Sequence, residues 1–260
     1  MILEVSGLSK HFGGVKALTD ISLAVGKAEI VGLIGPNGAG KTTFFNCITG
    51  VHRLDAGKVC FGEYSRDITG FPAHRVSRSG IARTFQNARV FASMSALENV
   101  MAGTFSRTSC GIWGIISRSK KVSAQEQAVL RRSRELLRFV NLERRAADLA
   151  SSLPFGLQRR LEIARALASE PRLLLMDEPA AGMNSSEKLE LLDIIRKIRS
   201  SGISVLIIEH DMKLVMGLCR RIVVLDSGEK ICEGSPEAVQ RDPKVIEAYL
   251  GTSSFCHSPA

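Results

Sequence analysis

The residues Gly35, Pro36, Asn37, Gly38, Ala39, Gly40, Lys41, Thr42 and Thr43 follow the pattern GxxxxGK[ST], and every fixed position in it has a chemical reason. Glycines let successive backbone N–H groups curl around phosphate oxygens. A helix starting there adds a favourable dipole, a lysine at position 41 reaches β- and γ-phosphates, and the Thr42 hydroxyl ligates Mg²⁺. Further on, Asp177 and Glu178 end the apolar run Leu173, Leu174, Leu175, Met176. A strand of that kind delivers both carboxylates to the carboxyl edge of a sheet, where open α/β sheets bind their ligands. Asp177 is then placed to hold Mg²⁺ through water and Glu178 to orient and deprotonate an attacking water, a phosphoryl transfer driven by positioning and charge stabilisation. His210 follows another apolar run, 203–208, and lands at the same edge within reach of a γ-phosphate oxygen. Gln86, after the short run 81–85, offers an amide to Mg²⁺ or to the water. The other histidines, His11, His52, His74 and His257, have no such placement and read as structural or surface groups.

These groups need a scaffold, and the hydrophobic periodicity supplies one. Residues 2–5 and 17–25 alternate apolar with polar, the period of half-buried antiparallel strands. The nearly continuous apolar run 30–34 reads as a fully buried parallel strand, followed by a helix from Gly40 that carries Phe44, Phe45 and Ile48 inward. Residues 53–64 mix turn formers with strand residues, whereas 95–167 hold mainly helical patterns interrupted at 108–121. Within that block, 125–145 place Val129, Leu136, Leu137 and Val140 on one helical face, so the arginines belong to the solvated face rather than to a nucleic-acid patch. Three apolar strands follow, 173–176, 205–208 and 222–225, with a helical pattern at 186–199, a short helix at 243–250 and a frayed tail at 252–260. The helical block is therefore predicted to be an insertion in an α/β core.

With 260 residues, 45% hydrophobic and 23% charged, the chain is long enough for one large domain carrying an inserted subdomain. Its longest apolar stretches fall short of the roughly 18–20 residues that span a bilayer. The start, Met1-Ile2-Leu3-Glu4-Val5, lacks the features of a secretory signal and predicts a cytosolic address. Cys47, Cys60, Cys110, Cys219, Cys232 and Cys256 form no CxxC pair and read as reduced thiols. The formal charge of +9 bears on association and solubility rather than on fold. No [NT]KxD string is present to read guanine, which weighs against a GTPase.

Taken in order, these elements resemble the ATP-binding subunit of ABC transporters, from residue 3 to residue 251. The resemblance implies an α/β fold: a P-loop NTPase core with a parallel sheet, an N-terminal antiparallel β-subdomain and an inserted α-helical subdomain. Residues 1–85 and 169–251 would form the core, 86–168 the helical subdomain with the signature motif, and 252–260 a flexible tail. It implies that Phe12 stacks on adenine, that Gln86 is the Q-loop glutamine, that Asp177 and Glu178 are the second nucleotide motif and its catalytic base, and that His210 is the switch histidine. The family's signature peptide, LSGGQ, corresponds to Leu153, Pro154, Phe155, Gly156 and Leu157, leading into a helix over 158–168. In the family this helix faces the γ-phosphate bound by the opposite subunit of a head-to-tail dimer. Pro154 replaces the serine and Leu157 the glutamine, leaving Gly156 and the helix dipole as donors. Asn184 stands where many relatives carry aspartate, and Ala28 where glycine is common.

Within the family, the strings 83–87, 159–165, 180–184 and 208–212 and the ending Ala248-Tyr249-Leu250-Gly251 look like the subunit of branched-chain amino acid importers. That implies ATP and Mg²⁺ as cofactors and a second ATP-binding subunit, identical or not, as dimer partner. It also implies two transmembrane permeases, a periplasmic solute-binding protein as indirect partner, no nucleic acid, and a peripheral place on the cytoplasmic face of the membrane. An importer of another small polar solute, such as urea, short amides or other amino acids, and a soluble ABC-type ATPase acting on nucleic acid are the alternatives.

Overall fold

The computed structural model describes residues 1–86, 89–106 and 120–250. Asn87, Gly251, residues 108–119 of the predicted interruption and the predicted tail 252–260 lie outside them. The strands are β1 (Leu3–Phe12), β2 (Val15–Val25), β3 (Ile30–Ile34), β4 (Ala56–Phe61), β5 (Arg66–Asp67), β6 (Ile81–Arg83), β7 (Leu173–Asp177), β8 (Ser204–Ile208), β9 (Arg221–Asp226) and β10 (Glu229–Gly234). The helices are α1 (Lys41–Ile48), α2 (Ala73–Ser79), α3 (Ala96–Gly103), α4 (Lys120–Phe139), α5 (Phe155–Ala168), α6 (Ser185–Ser200), α7 (Met212–Leu218), α8 (Pro236–Arg241) and α9 (Pro243–Leu250).

Two sheets result. One is antiparallel, in the order β2-β1-β4-β5, and the other runs β10-β9-β3-β8-β7-β6. In the second sheet the pairs β9–β3, β3–β8, β8–β7 and β7–β6 are parallel and only β10–β9 is antiparallel. Every residue of β3, β7 and β8 is buried, which is why these segments read as continuous apolar runs rather than as alternation. Their side chains divide by parity. Leu173, Leu175, Leu206 and Ile208 join a core shared with the antiparallel sheet and with Phe44, Phe45 and Ile48 of α1. Leu174, Met176, Val205 and Ile207 face a second core built with α3, α4, α5 and α6. Both faces of the central sheet are thus covered, and its carboxyl edge is left open for a ligand.

The hairpin β1–β2 is longer than the alternation predicted. Register shifts between Val5 and Leu8, Leu8 and Lys10, and Lys10 and His11 break the period of two over the second half of β1 while the pairing continues. Helix α4 begins at Lys120, inside the predicted interruption, and buries Leu136 and Leu137, with Val140 just beyond it; Val129 is half-buried. Arg132 and Arg138 lie on its exposed side and pair with Glu135 and Glu143, the solvated face expected of them. Helix α5 starts at Phe155, three residues before the predicted 158, because Pro154 takes the N-cap position, where a missing N–H costs nothing. Among the described residues no helix is long and apolar enough to cross a membrane.

Candidate functional site

The phosphate loop leaves the end of β3 at the carboxyl edge of the sheet. Gly35 has φ 149°, and a Cβ on it would stand 2.0 Å from the Leu225 carbonyl oxygen of β9, so only glycine fits this turn. Helix α1 then begins from Gly40 in the left-handed region, φ 97°, with no side-chain cap, leaving its first N–H groups open to a ligand. Asn37 to Thr43 line a cleft of about 560 Å³ together with Val15 and Ala17 of β2 and with Gln86, Glu178 and His210. Lys41 is 6% exposed as a residue, and its ammonium donates to the carbonyls of Gly35 at 2.7 Å and Pro36 at 2.8 Å. Burial lowers its pKa, and the charges of Glu178 and Asp177 work against that shift.

The carboxylate of Glu178 is bracketed. Gln86 Nε2 donates to its Oε2 at 3.0 Å, and His210 Nε2 lies 3.0 Å from its Oε1. Glu178 itself sits in the left-handed region, φ 47°, with its N–H bonded to the Ile208 carbonyl at 2.9 Å. Asp177, buried at the end of β7, pairs through Oδ2 with Arg83 Nη2 at 2.9 Å. Arg83 Nη1 also donates to Asn46 Oδ1 of α1 at 2.7 Å, and the guanidinium centre lies 5.4 Å from the Phe45 ring and 5.1 Å from the Phe85 ring. Arg83 was not singled out by sequence. Its only signal was a lone charge inside the apolar run 81–85, where a buried arginine requires a partner. On the next strand end, Glu209 is buried and accepts the N–H of Ala180 at 2.8 Å and of His210 at 3.2 Å. Burial raises its pKa.

The structure brings Asn37 to Thr43, Gln86, Glu178 and His210 together in one cleft, with Asp177 adjoining at the end of β7; Gly35 and Pro36 lie just before that stretch, and their carbonyls accept the Lys41 ammonium. Phe12 is not in the cleft wall; it ends β1 opposite the wall residue Val15, is 44% exposed, and meets the His52 ring edge-on at 5.3 Å. The signature residues stand apart from this cleft in the same chain. Leu153 is buried, Pro154 caps α5, Phe155 is 45% exposed, and Leu157 packs its side chain against the second core. A Cβ on Gly156 would come within 2.5 Å of Glu187 Oε1, so the first turn of α5 lies directly on the first turn of α6. Two further residues entered the sequence reading only as part of the string 159–165, with no role of their own. Arg159 donates to the carbonyls of Phe85 and Gln86, and Glu162 Oε1 accepts the N–H groups of Phe85 at 3.1 Å and Arg89 at 3.4 Å.

The donor set fits the groups expected there. Thr42, Gln86 and Asp177 offer hydroxyl, amide and carboxylate oxygens, the hard ligands that suit Mg²⁺. Uncapped N–H groups at α1 and a lysine whose hydrogen bonds, among the described residues, go to carbonyl oxygens suit the phosphates of a nucleotide.

A phosphate loop between a buried strand and a helix, with an acidic pair ending a second strand of the same parallel sheet, defines a P-loop NTPase. The chain belongs to the ABC transporter family, whose model matches residues 18–181; residues 229–254 match the model described as branched-chain amino acid ATP-binding cassette transporter. The high-affinity branched-chain amino acid transport ATP-binding protein BraF of Pseudomonas aeruginosa is 42% identical over 251 residues, 96% of this chain and 98% of that protein. Its counterpart LivG of Salmonella typhimurium is 41% identical over the same shares. The lipopolysaccharide export system ATP-binding protein LptB of Acidithiobacillus ferridurans is 37% identical, over 96% and 97% of the two chains. Among solved structures, a nucleotide-free ATP-binding cassette from an ABC transporter superposes with TM-score 0.84 at 32% identity, covering 96% of this chain and 99% of the other. An ATP-binding cassette in its ADP conformation gives 0.84 at 33%, covering 96% and 98%. The chain is an ATPase of this family, its hydrolysis coupled to transport.

Two substitutions test the geometry. Arg83→Gln leaves the Asp177 carboxylate buried without its charge partner and should lower unfolding free energy by about 3–5 kcal/mol in urea titration. Gly156→Ala must push Glu187 out of its capping contact with Asn184 and should cost on the order of 1 kcal/mol, the size of a lost cap, read as a lower Tm.

Proposed function

We propose that this chain is the ATP-binding and ATP-hydrolysing subunit of an importer of branched-chain amino acids. It works as one half of a dimer of ATP-binding subunits, identical or not, beneath two transmembrane permeases on the cytoplasmic face of the membrane, with a periplasmic solute-binding protein delivering the solute. The observation that carries the hydrolytic role is the Glu178 carboxylate, held at 3.0 Å by both Gln86 and His210 beside the phosphate loop. The match of residues 229–254 and the likeness to BraF and LivG support the solute class. The likeness to LptB favours a second reading, the same cassette driving a different solute.

In this reading Phe12 stacks on adenine, the backbone from Gly35 to Thr43 cradles the phosphates, and Lys41 leaves its carbonyl partners for the β- and γ-phosphates. Thr42, Gln86 and Asp177 would hold Mg²⁺, which would supply positive charge against that of the phosphates. Glu178 takes the proton of the attacking water, and Gln86 and His210 keep its two oxygens oriented toward that water. His210 also reaches the γ-phosphate. The far wall of each site comes from Leu153 to Leu157 of the partner, where the Gly156 N–H and the α5 dipole meet the γ-phosphate. Residues 1–85 and 169–251 act as the nucleotide core and 86–168 as the helical subdomain that turns toward the permeases. A groove of about 770 Å³ between them, with Val51, Phe91, Met94 and Phe105 exposed in its lining, is the place for a permease segment.

Glu178→Gln should retain MgATP binding while turnover of the transporter falls at least about 100-fold, the scale of a lost general base. Cells lacking the gene should lose uptake of labelled leucine and regain it with the native chain but not with Glu178→Gln. Undiminished turnover would remove Glu178 as the base, and undiminished leucine uptake on gene loss would move the solute elsewhere. Leu157→Gln restores a polar side chain at the signature and should raise turnover of the assembled transporter; an unchanged rate would take Leu157 out of the ATP contact.

A further inference from the structure

We infer that Arg159 and Glu162 are positioning residues that tie the signature turn of α5 to Gln86, and through Gln86 to Glu178, within one chain. The inference rests on the catalytic reading of Gln86 and Glu178 given above and adds the clamp that sets them. Arg159 and Glu162 are 3% and 2% exposed and face each other, Nη1 to Oε2, at 3.5 Å. Among the described residues, their hydrogen bonds go to one stretch of main chain. The two terminal nitrogens of Arg159 donate to the consecutive carbonyls of Phe85 and Gln86, while Glu162 Oε1 accepts the N–H groups of Phe85 and Arg89.

A guanidinium fork bonded to two successive carbonyls fixes their orientation as well as their position, which a single ammonium does not do. Strand β6 ends at Arg83, so the backbone of Gln86 has left the sheet ladder and takes its placement from α5. From there the Gln86 amide spans 3.0 Å to Glu178 Oε2. The same guanidinium lies 5.1 Å from the ring of Phe155, which is exposed in the first turn of α5. A displacement of that turn therefore reaches the Glu178 carboxylate through Phe155, Arg159 and Gln86. A misplacement of about 1 Å in a reacting group costs up to about 100-fold in rate.

The test is a double-mutant cycle on the transporter isolated through a tag on this chain, reading kcat, KM for ATP and amide exchange by mass spectrometry. Arg159→Gln should lower kcat about 10-fold with KM within twofold, and speed exchange at the Phe85 and Arg89 amides; Arg159→Lys, keeping charge and bulk for a fold-stable comparison, should fall between it and the native chain. Because Arg159 acts through Gln86, the double variant Gln86→Ala/Arg159→Gln should turn over no more slowly than Gln86→Ala alone. Multiplying effects, or an unchanged kcat in both Arg159 variants, would overturn the clamp while leaving the role of Gln86 intact. An unchanged kcat in Gln86→Ala would overturn the role of Gln86, and the clamp with it.

Discussion

Carboxylates crowd the ends of two neighbouring buried strands: Asp177 and Glu178 at β7, Glu209 at β8. Like charges 4 Å apart repel by about 4 kcal/mol at an effective dielectric of 20, so each group needs its own compensation. The three receive it in different currencies. Asp177 has a guanidinium, Glu178 has an amide and an imidazole, and Glu209 has backbone N–H groups, with burial and the charge of Glu178 raising its pKa. Lys41 sits within the field of Asp177 and Glu178 and is held back by burial. A polyphosphate adds negative charge to a region already rich in it, and what the loop sets against that charge is the uncapped N–H groups at the start of α1 and the Lys41 ammonium.

The turn after β7 makes this arrangement possible. A left-handed glutamate costs about 1–3 kcal/mol and persists only where its surroundings over-determine it. Here the N–H of Glu178 is taken by Ile208 at 2.9 Å, its carbonyl by Ala181 at 3.2 Å, and the N–H of Ala180 by Glu209 at 2.8 Å. The turn aims the Glu178 side chain over the cleft, so that it meets Gln86, three residues past the end of β6, and His210, two residues past the end of β8. Three strand ends converge on one carboxylate because the strand order places β7 between β6 and β8.

The parts of this site that were legible in sequence are those governed by local pattern. Strands β3, β7 and β8 carry their burial in uninterrupted apolar runs, and the phosphate loop carries its geometry in its glycines. What was not legible depends on contacts between distant segments. Arg83 meets Asp177 across 94 positions, and Glu162 meets the Phe85 amide across 77. In the sequence Arg159 and Glu162 are ordinary charges of a helix rich in arginine, and only tertiary packing turns them inward. The second half of β1 was hidden for a different reason, since its register shifts erase the alternation that marks a half-buried strand. Leu157 was visible as a departure, whereas its packing against the helical core was not.

The departures around the signature have a common electrostatic sense. With proline at 154 and leucine at 157, the first turn of α5 offers an anion its backbone N–H groups and little else. Glu187 lies against Gly156 and sets a carboxylate beside that turn. That carboxylate is engaged: Oε2 accepts the Asn184 N–H at 3.0 Å while Asn184 Oδ1 accepts the Glu187 N–H at 3.0 Å. An aspartate at 184 would cap α6 equally well but would add a second charge beside Gly156. Asparagine keeps the cap and withholds the charge, so the positive end of the α5 dipole at Gly156 faces one carboxylate at the start of α6 instead of two.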